Sequence, residues 1–137
     1  MEDIETGAES SFTYTVTDAE TIPNLYPDSD YFQEMPEVFA TGYLVGFIEW
    51  ACIDFLDSYL DWPEEQTVGT NIDLDHEAPT PPGTDVTVHT EVTDVDGRMI
   101  SFDVRVEDEV ERIGKATHTR FVVDRDQFVE NAESKSS

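Results

Sequence analysis

Glu49 is the residue whose type and setting most clearly suit chemistry. It is the only charged residue between Val38 and Ile53, a run that is otherwise almost entirely apolar. Enclosing an unpaired carboxylate is costly, so Glu49 needs a cation or hydrogen-bond donors beside it, or a reaction in which it takes part. Two interpretations are equally open: a structural carboxylate paired with an arginine, and a catalytic base or nucleophile.

His76 lies in a stretch of alternating polar and apolar residues, 69–77, that predicts a β-strand. Strand parity places His76 on the inward face with Ile72 and Leu74, and Thr70 falls on that same face. A one-residue slip would expose Ile72 and Leu74, which supports this assignment. An inward histidine is most often a hydrogen-bonded core residue, but it can also act as a base or proton shuttle near neutral pH.

Thr41 and Gly42 fall at or just before the start of the helix predicted to carry Glu49. A threonine there is an ordinary N-cap. Alternatively, its hydroxyl and the free backbone N–H groups at the helix N-terminus favour a developing oxyanion. If Thr41 and Glu49 were both helical, they would lie about 12 Å apart along the axis, too far for a direct hydrogen bond. They can share a site only if Thr41 lies in a folded-back segment or comes from a second subunit. We therefore predict an active site at or near a dimer interface.

Motifs for metals, phosphates and dinucleotides are absent from the sequence. The three histidines have unrelated spacings, and Cys52 is the one cysteine, so zinc-ligand spacing is missing and no intrachain disulfide can form. Cys52 lies in the apolar run with nothing basic near it, which favours a buried small hydrophobic residue. There is no phosphate loop, Gly-x-Ser-x-Gly or dinucleotide fingerprint. We expect neither a metal nor a bound cofactor.

The elements that must position these residues follow from periodicity. A strand at 12–17 precedes a proline-containing stretch, and 38–60 is apolar on nearly every face in its first part, which predicts an enclosed helix that Pro63 ends. Alternation then predicts strands at 69–77, 86–92, 100–106 and about 112–123, with a turn at Asp96-Gly97. Irregular alternation from Gly114 to Thr119 predicts a β-bulge in the last strand.

These elements predict an α+β protein with the hotdog fold, in which an antiparallel sheet of five to six strands wraps around one long central helix. One helix cannot cover the whole apolar face of such a sheet, which suggests a partner subunit. The predicted domain covers residues 11–129. A disordered acidic N-terminus at 1–10 and a polar tail at 130–137 flank it.

The charge balance is unusual, with 32 acidic against 7 basic side chains and a formal net charge of −25. Such a surface repels nucleic acid and anionic membranes, which we exclude as partners. Acids spread along the whole chain and only two lysines favour a halophilic surface adapted to molar salt. An acidic, polar N-terminus lacks a signal peptide, and no apolar run could span a membrane, so we expect a cytoplasmic protein.

The motif around Glu49 resembles the central helix of the fluoroacetyl-CoA thioesterase family. It reads Pro-Glu-Val-Phe-Ala-Thr-Gly at 36–42, Val-Gly at 45–46 and Glu-Trp-Ala-Cys at 49–52. The resemblance extends over roughly residues 12 to 128 and continues in 25–27, 68–70, His76, 80–83, 113–114 and 117–118.

This resemblance implies a hotdog homodimer, with a tetramer left open, that hydrolyses an acyl-CoA thioester without metal or bound cofactor. It implies that Thr41, Glu49 and His76 are catalytic. Oxyanion and substrate-binding roles fall on Gly42, Gly69 and Arg120, and an acyl pocket on Phe32, Tyr43 and Phe47. The basic residues that could meet the CoA phosphates are Arg98, Arg112, Lys115 and Arg120.

Two alternatives stay open beside the thioesterase. A hotdog enoyl-CoA hydratase or dehydratase would use an Asp/His pair, for which Asp75 and His76 are adjacent in sequence. Strand parity puts Asp75 on the opposite face, which counts against this function. The other alternative is a non-catalytic acyl-CoA binding protein that keeps the fold and the pocket.

Overall fold

The computed structural model describes residues 1–136 as one antiparallel sheet with a long helix against it. The strands are β1 (Glu9–Thr15), β2 (Glu65–His76), β3 (Asp85–Asp96), β4 (Met99–Glu107) and β5 (Arg112–Asp124), in the spatial order β1-β3-β4-β5-β2. The helices are α1 (Ile22–Leu25), α2 (Asp30–Gln33), α3 (Thr41–Leu56) and α4 (Arg125–Glu133), with 3-10 turns at Asp18–Glu20 and Asp57–Tyr59. The predicted α+β class, with five strands, is confirmed.

The helix α3 forms the centre of the apolar core. Leu44, Ile48, Cys52 and Leu56 recur every fourth residue and are fully buried, as expected for the stripe of a helix that faces a sheet. The helix is shorter than the predicted 38–60. It begins at Thr41 because residues before it are extended, and Phe39 forms an isolated β-bridge with Thr21. It ends at Leu56, where a 3-10 turn follows.

The last strand, β5, explains the irregular alternation seen in the sequence. From Gly114 to Val122 every second residue is buried, so this part of the strand is regular. The predicted bulge in the last strand is present, but it lies at Ile113, just before the stretch from which it was predicted. The pattern is hidden because two of the inward residues, His118 and Arg120, are polar, while the outward Phe121 is apolar. A second irregularity lies in β2, whose register against β5 shifts at Thr70.

The bulge at Thr70 changes which side chains of β2 face the helix. Pairing with β5 passes from Gly69 directly to Asn71, so Thr70 has no opposite residue. Because one extra residue reverses strand parity, Gly69 and Thr67 share the inward face of Ile72 and His76. Thr70 lines the same cavity as Gly69, Ile72 and His118, as expected of a side chain on that face.

The N-terminal end of the described chain is packed against the domain, whereas the C-terminal helix α4 is exposed along its whole length. The sequence predicts a disordered segment at 1–10, whereas Ile4 is buried in the core and the N–H of Gly7 donates to the carbonyl of Val92. At the other end, the predicted tail 130–137 overlaps α4, whose N-cap Asp124 accepts a hydrogen bond from the N–H of Gln127. Ser137 lies outside the described residues.

Candidate active site

Thr41 and His76 form a hydrogen-bonded pair where the start of α3 meets the end of β2. Thr41 Oγ1 lies 2.8 Å from His76 Nδ1. Ala40 is the N-cap of α3, so Thr41 is the first helical residue and its hydroxyl does not cap the helix. The pair thus favours the functional interpretation of Thr41 over the ordinary N-cap.

The second ring nitrogen of His76 is buried and has no hydrogen-bond partner within residues 1–136. Burial lowers the pKa of His76, an effect that a weaker interaction with the backbone of Ala78 partly offsets. The imidazole is therefore neutral at pH 7, with one nitrogen on Thr41 and the other available to a further group. Buried polar atoms without partners are rare in native proteins, so this atom is a candidate contact for a further group.

Glu49 is paired with a buried arginine, which supplies the cation that its apolar surroundings require. Arg120 Nη1 donates to Glu49 Oε2 at 3.0 Å. Arg120 is only 2% exposed, and two further donors hold its guanidinium: Nε to Thr67 Oγ1 and Nη2 to Thr67 O, both at 2.8 Å. The side chain of Glu49 is 40% exposed. The arginine thus meets the structural interpretation of Glu49, and the catalytic interpretation stays a prediction for a carboxylate that still reaches solvent.

His118 is part of this group, although the sequence motifs do not assign it a role. Its Nδ1 lies 2.7 Å from the carbonyl of Asn71, and its Nε2 lies 3.1 Å from Arg120 Nη1. Burial lowers the pKa of His118, and the charge of Arg120 lowers it further, against the opposing effect of the Asn71 carbonyl. The signal that could have found them is strand alternation: Val122 is apolar and faces inward, so Arg120 and His118, two and four residues before it, fall on the same inward face.

Gly69 lies where the backbone of β2 approaches this group most closely. A Cβ at this position would lie 3.1 Å from Glu49 Oε2, 3.3 Å from His118 Cε1 and 3.4 Å from Arg120 Nη1. A cavity of about 280 Å³ opens beside these residues at the free edge of β2 and is lined by Val45, Glu49, Gly69, Thr70, Asn71, Ile72 and His118. A small acyl group fits a cavity of this size.

A single chain does not bring the predicted catalytic residues together. Glu49 lies beside Gly69, and Thr41 lies beside His76, so the two groups are about 12 Å apart along α3 and about 20 Å apart along β2. The cavity beside Glu49 is lined by neither Thr41 nor His76. The predicted residues therefore form two half-sites, one near the middle of β2 and the other at its end.

The other predicted site residues have structural surroundings of their own. A Cβ on Gly42 would lie 2.7 Å from Leu25 Cδ2, so Gly42 lets α1 pack against the first turn of α3. None of the three aromatic residues predicted for the acyl pocket lines the cavity beside Glu49. Phe47 is buried against Tyr14, with ring centres 4.3 Å apart, so it is a core residue.

The remaining two aromatic residues lie near the first turn of α3. The ring of Phe32 packs edge-on against Tyr26, with ring centres 5.1 Å apart. The hydroxyl of Tyr43 donates to the carbonyl of Asn24 at 3.4 Å. Their predicted place in an acyl pocket stays a prediction.

Of the basic residues considered for CoA phosphates, Arg120 is excluded because it is buried. Arg98 donates to the carbonyl of Val122. Arg112 and Lys115 are half-exposed on the outer face of the sheet, where they pair with Glu77 and with Asp75. These two remain the candidates for phosphate contact.

The pair of Asp75 with Lys115 also bears on the hydratase alternative. Asp75 Oδ2 lies 3.9 Å from Lys115 Nζ on the outer face, whereas His76 faces the helix. The two neighbours therefore point to opposite sides of the sheet and cannot form a catalytic Asp/His pair.

Residues 1–136 contain no group of three or more His, Cys, Asp and Glu side chains placed to hold a metal ion. In the same part of the chain, no helix is both long and apolar enough to cross a bilayer.

Comparisons with known proteins agree with this architecture. The family model for fluoroacetyl-CoA-specific thioesterases matches residues 16–126. A fluoroacetyl-CoA thioesterase from Streptantibioticus cattleyicolor is 43% identical over 122 residues, which are 89% of this chain and 87% of that protein.

Two solved structures extend the comparison to three dimensions. A variant of a fluoroacetyl-CoA-specific thioesterase, crystallised with fluoroacetate and CoA, is 42% identical with a TM-score of 0.88 over 91% of this chain and 99% of that one. A hot-dog-like protein from Thermanaerovibrio acidaminovorans is 20% identical with a TM-score of 0.79, over 96% and 93% of the two chains. The second likeness concerns the fold alone, and it confirms the predicted hotdog architecture.

Proposed function

Because this chain belongs to the fluoroacetyl-CoA-specific thioesterase family, we propose that it hydrolyses the thioester of a short-chain acyl-CoA to a free acid and CoA. The observation that carries this proposal is the anchored carboxylate beside Gly69. Glu49 is held by Arg120 through one oxygen only, next to a cavity that fits a small acyl group.

Glu49 Oε1 is the oxygen that reacts, because it makes no hydrogen bond within residues 1–136 while Oε2 is held by Arg120. Two routes give the same products. In direct attack, Oε1 bonds to the thioester carbon, the C–S bond breaks, and water then hydrolyses the mixed anhydride. In the other route Oε1 takes a proton from water, hydroxide adds to the carbon, and the C–S bond breaks. In both routes the leaving thiolate takes up a proton, and the acid and CoA are released.

The other groups assist at the carbonyl and at the leaving sulfur. The N–H groups near Gly69 can stabilise the oxyanion, since the missing Cβ lets a carbonyl approach the backbone. His76 serves as proton shuttle, with Thr41 orienting its ring through the 2.8 Å hydrogen bond. Side chains and water supply all of these steps, so we expect neither a metal nor a bound cofactor.

A second copy of the chain is needed to complete the site. Within residues 1–136 β2 is an edge strand, paired with β5 on one side only. When two copies pair antiparallel along this edge, residues that face inward in one copy must lie opposite residues that face inward in the other. Thr70 is the extra residue of the bulge, so it has no opposite residue in this pairing. One such register then places Gly69 opposite the partner's His76 and Ile72 opposite the partner's Leu74. Its two-fold axis passes through Asp73.

This register brings the two half-sites together. Glu49, Gly69 and Arg120 of one protomer then meet Thr41 and His76 of the other, and the unpartnered His76 nitrogen gains a place in the site. We therefore propose an obligate homodimer with two equivalent sites, acting in the cytoplasm on acyl-CoA.

Mixing two inactive variants tests this arrangement. Glu49→Gln and His76→Ala are each expected to lower kcat by about a thousandfold, since each removes a group that acts on the reacting atoms. After dissociation and random reassembly at equal amounts, half of the dimers are mixed, and one of their two sites is intact. Activity should therefore return to about a quarter of the wild-type value, measured as free CoA with a thiol reagent in molar salt.

The outcomes separate the competing functions. No recovery on mixing, with mixed dimers shown by mass spectrometry, would mean that each site takes both residues from one chain. Near-normal hydrolysis by both variants would end the assignment of the catalytic residues. A wild-type protein that binds acyl-CoAs from acetyl- and fluoroacetyl- to butyryl-CoA but releases no CoA would be a binding protein and not an enzyme.

A further inference from the structure

His118 occupies a position that the thioesterase mechanism leaves unexplained. It is 2% exposed, it lies within hydrogen-bond distance of Arg120, and it is not in contact with the half-site that contains His76. We propose that His118 is a positioning residue that aims Arg120 at Glu49 and so leaves one carboxylate oxygen free to react. This inference rests on the proposed thioesterase function.

The hydrogen count around His118 fixes its tautomer. A backbone carbonyl can only accept, so the 2.7 Å contact with Asn71 O requires a proton on Nδ1. The arginine N–H groups can only donate, so the 3.1 Å contact with Arg120 Nη1 requires a bare lone pair on Nε2. Both contacts are satisfied by one species alone, the neutral imidazole with its proton on Nδ1.

The same count shows what His118 does for Arg120. The nitrogen Nη1 carries two protons, one directed to His118 Nε2 and the other to Glu49 Oε2 at 3.0 Å. Thr67 holds the opposite side of the guanidinium through Nε and Nη2. Rotation of the guanidinium is thereby blocked from both sides. Without the acceptor on His118, one proton of a buried cation would lack a partner, and Arg120 could turn to give Glu49 two hydrogen bonds instead of one.

His118 also links this group to the bulge. Its Nδ1 holds the carbonyl of Asn71, the first residue after Thr70, and its Cε1 lies 3.3 Å from the place of a Cβ on Gly69. The ring therefore supports the strand segment whose N–H groups face the substrate. Its effect on catalysis passes through Arg120 and the β2 backbone, since no reacting atom is assigned to it.

Two conservative substitutions test the two contacts of His118 separately, because each can restore only one of them. His118→Gln offers a carbonyl oxygen near the position of Nε2 and can restore the acceptor for Arg120. His118→Asn offers an N–H near the position of Nδ1 and can restore only the donor to Asn71. We expect kcat of His118→Gln within about fivefold of wild type and kcat of His118→Asn lower by about 30-fold or more, with KM changed less than about threefold in both. His89→Gln, on the outer face, should match wild type.

The results that would contradict this role of His118 differ from those that would contradict the thioesterase function. Equal kcat in the Asn and Gln variants, or a loss confined to KM, would show that the acceptor for Arg120 does not matter. A second measurement does not depend on activity: ¹⁵N spectra of the wild-type protein at pH 7 should show His118 with its proton on Nδ1. A proton on Nε2 would contradict the proposal even if the wild-type protein released no CoA. Absence of CoA release with the expected tautomer would overturn the proposed function alone.

Discussion

The two oxygens of the Glu49 carboxylate have different surroundings, and this difference makes a half-buried side chain useful. Oε2 is neutralised by an arginine that is itself fixed by Thr67 and His118, so a charge can lie in an apolar region without a large cost. Oε1 is left at the cavity. A salt bridge with both oxygens engaged would be more stable but would leave no atom to react.

Two histidines should make the fold sensitive to mild acid. Burial lowers the pKa of His76 and His118 below the 6.5 of an unperturbed histidine. As the pH falls through about 6.5, the unfolded chain takes up protons before the folded one, so the free energy of unfolding decreases until the pH is below the folded-state pKa. The stability that these rings contribute is fully present above pH 6.5 and is lost below it.

Denaturant titration at pH 7.5 and pH 5.5 in 2 M KCl measures this effect. The double variant His76→Gln, His118→Gln should lose less stability between these pH values than the wild-type protein, because its replacements do not titrate. Equal losses in the double variant and in wild type would show that protonation of these two rings does not govern acid stability.

Among the elements, β2 and β5 determine the geometry of the site. Their pairing is interrupted by one residue, Thr70, and the interruption turns Thr67 and Gly69 toward the helix. Without that residue, strand parity would carry Gln66 and Val68 inward instead. The bulge therefore places Thr67 beside Arg120 and Gly69 beside Glu49.

Removing the bulge should separate its effect from that of the Thr70 side chain. Deletion of Thr70 is expected to lower the free energy of unfolding by roughly 3 to 5 kcal/mol, since Arg120 would lose both contacts with Thr67 inside the protein. Thr70→Ala keeps the residue count and loses one hydrogen bond to Thr119 O, so it should cost less than about 1 kcal/mol. Chemical denaturation measures both, and a deletion as mild as the alanine substitution would contradict this view.

The sequence was informative where one physical pattern dominated and less so where two competed. The apolar run around Ile48 predicted an enclosed helix, and the alternation before His76 predicted its inward face, because burial alone sets those patterns. The bulge was misplaced because inward polar residues, His118 and Arg120, imitate an outward face. Burial of those side chains depends on Glu49 and Thr67, which lie far away in sequence, so local periodicity could not reveal it.

At the scale of the whole molecule, net charge and dimerisation oppose each other. Each chain carries a formal charge of −25, so two chains repel at low ionic strength. The proposed pairing also sets Asp73 beside the partner's Asp73 at the two-fold axis. Salt shortens the screening length from about 10 Å at 0.1 M to about 3 Å at 1 M. We therefore expect a dimer and full activity in molar salt, and dissociated, inactive chains after dialysis to low salt.

Replacing Asp73 tests whether that contact contributes beyond the total charge. Two carboxylates about 6 Å apart at a protein surface repel by about 1 kcal/mol or more, so Asp73→Asn should tighten the dimer by about fivefold at 0.2 M KCl. The gain should vanish at 2 M KCl, where screening removes the repulsion. Asp94→Asn, which changes the net charge equally but lies on β3, should shift the dissociation constant much less. Analytical ultracentrifugation gives both constants. Equal shifts in the two variants would mean that the subunits do not meet along β2 at Asp73, and the two half-sites would then need another route to each other.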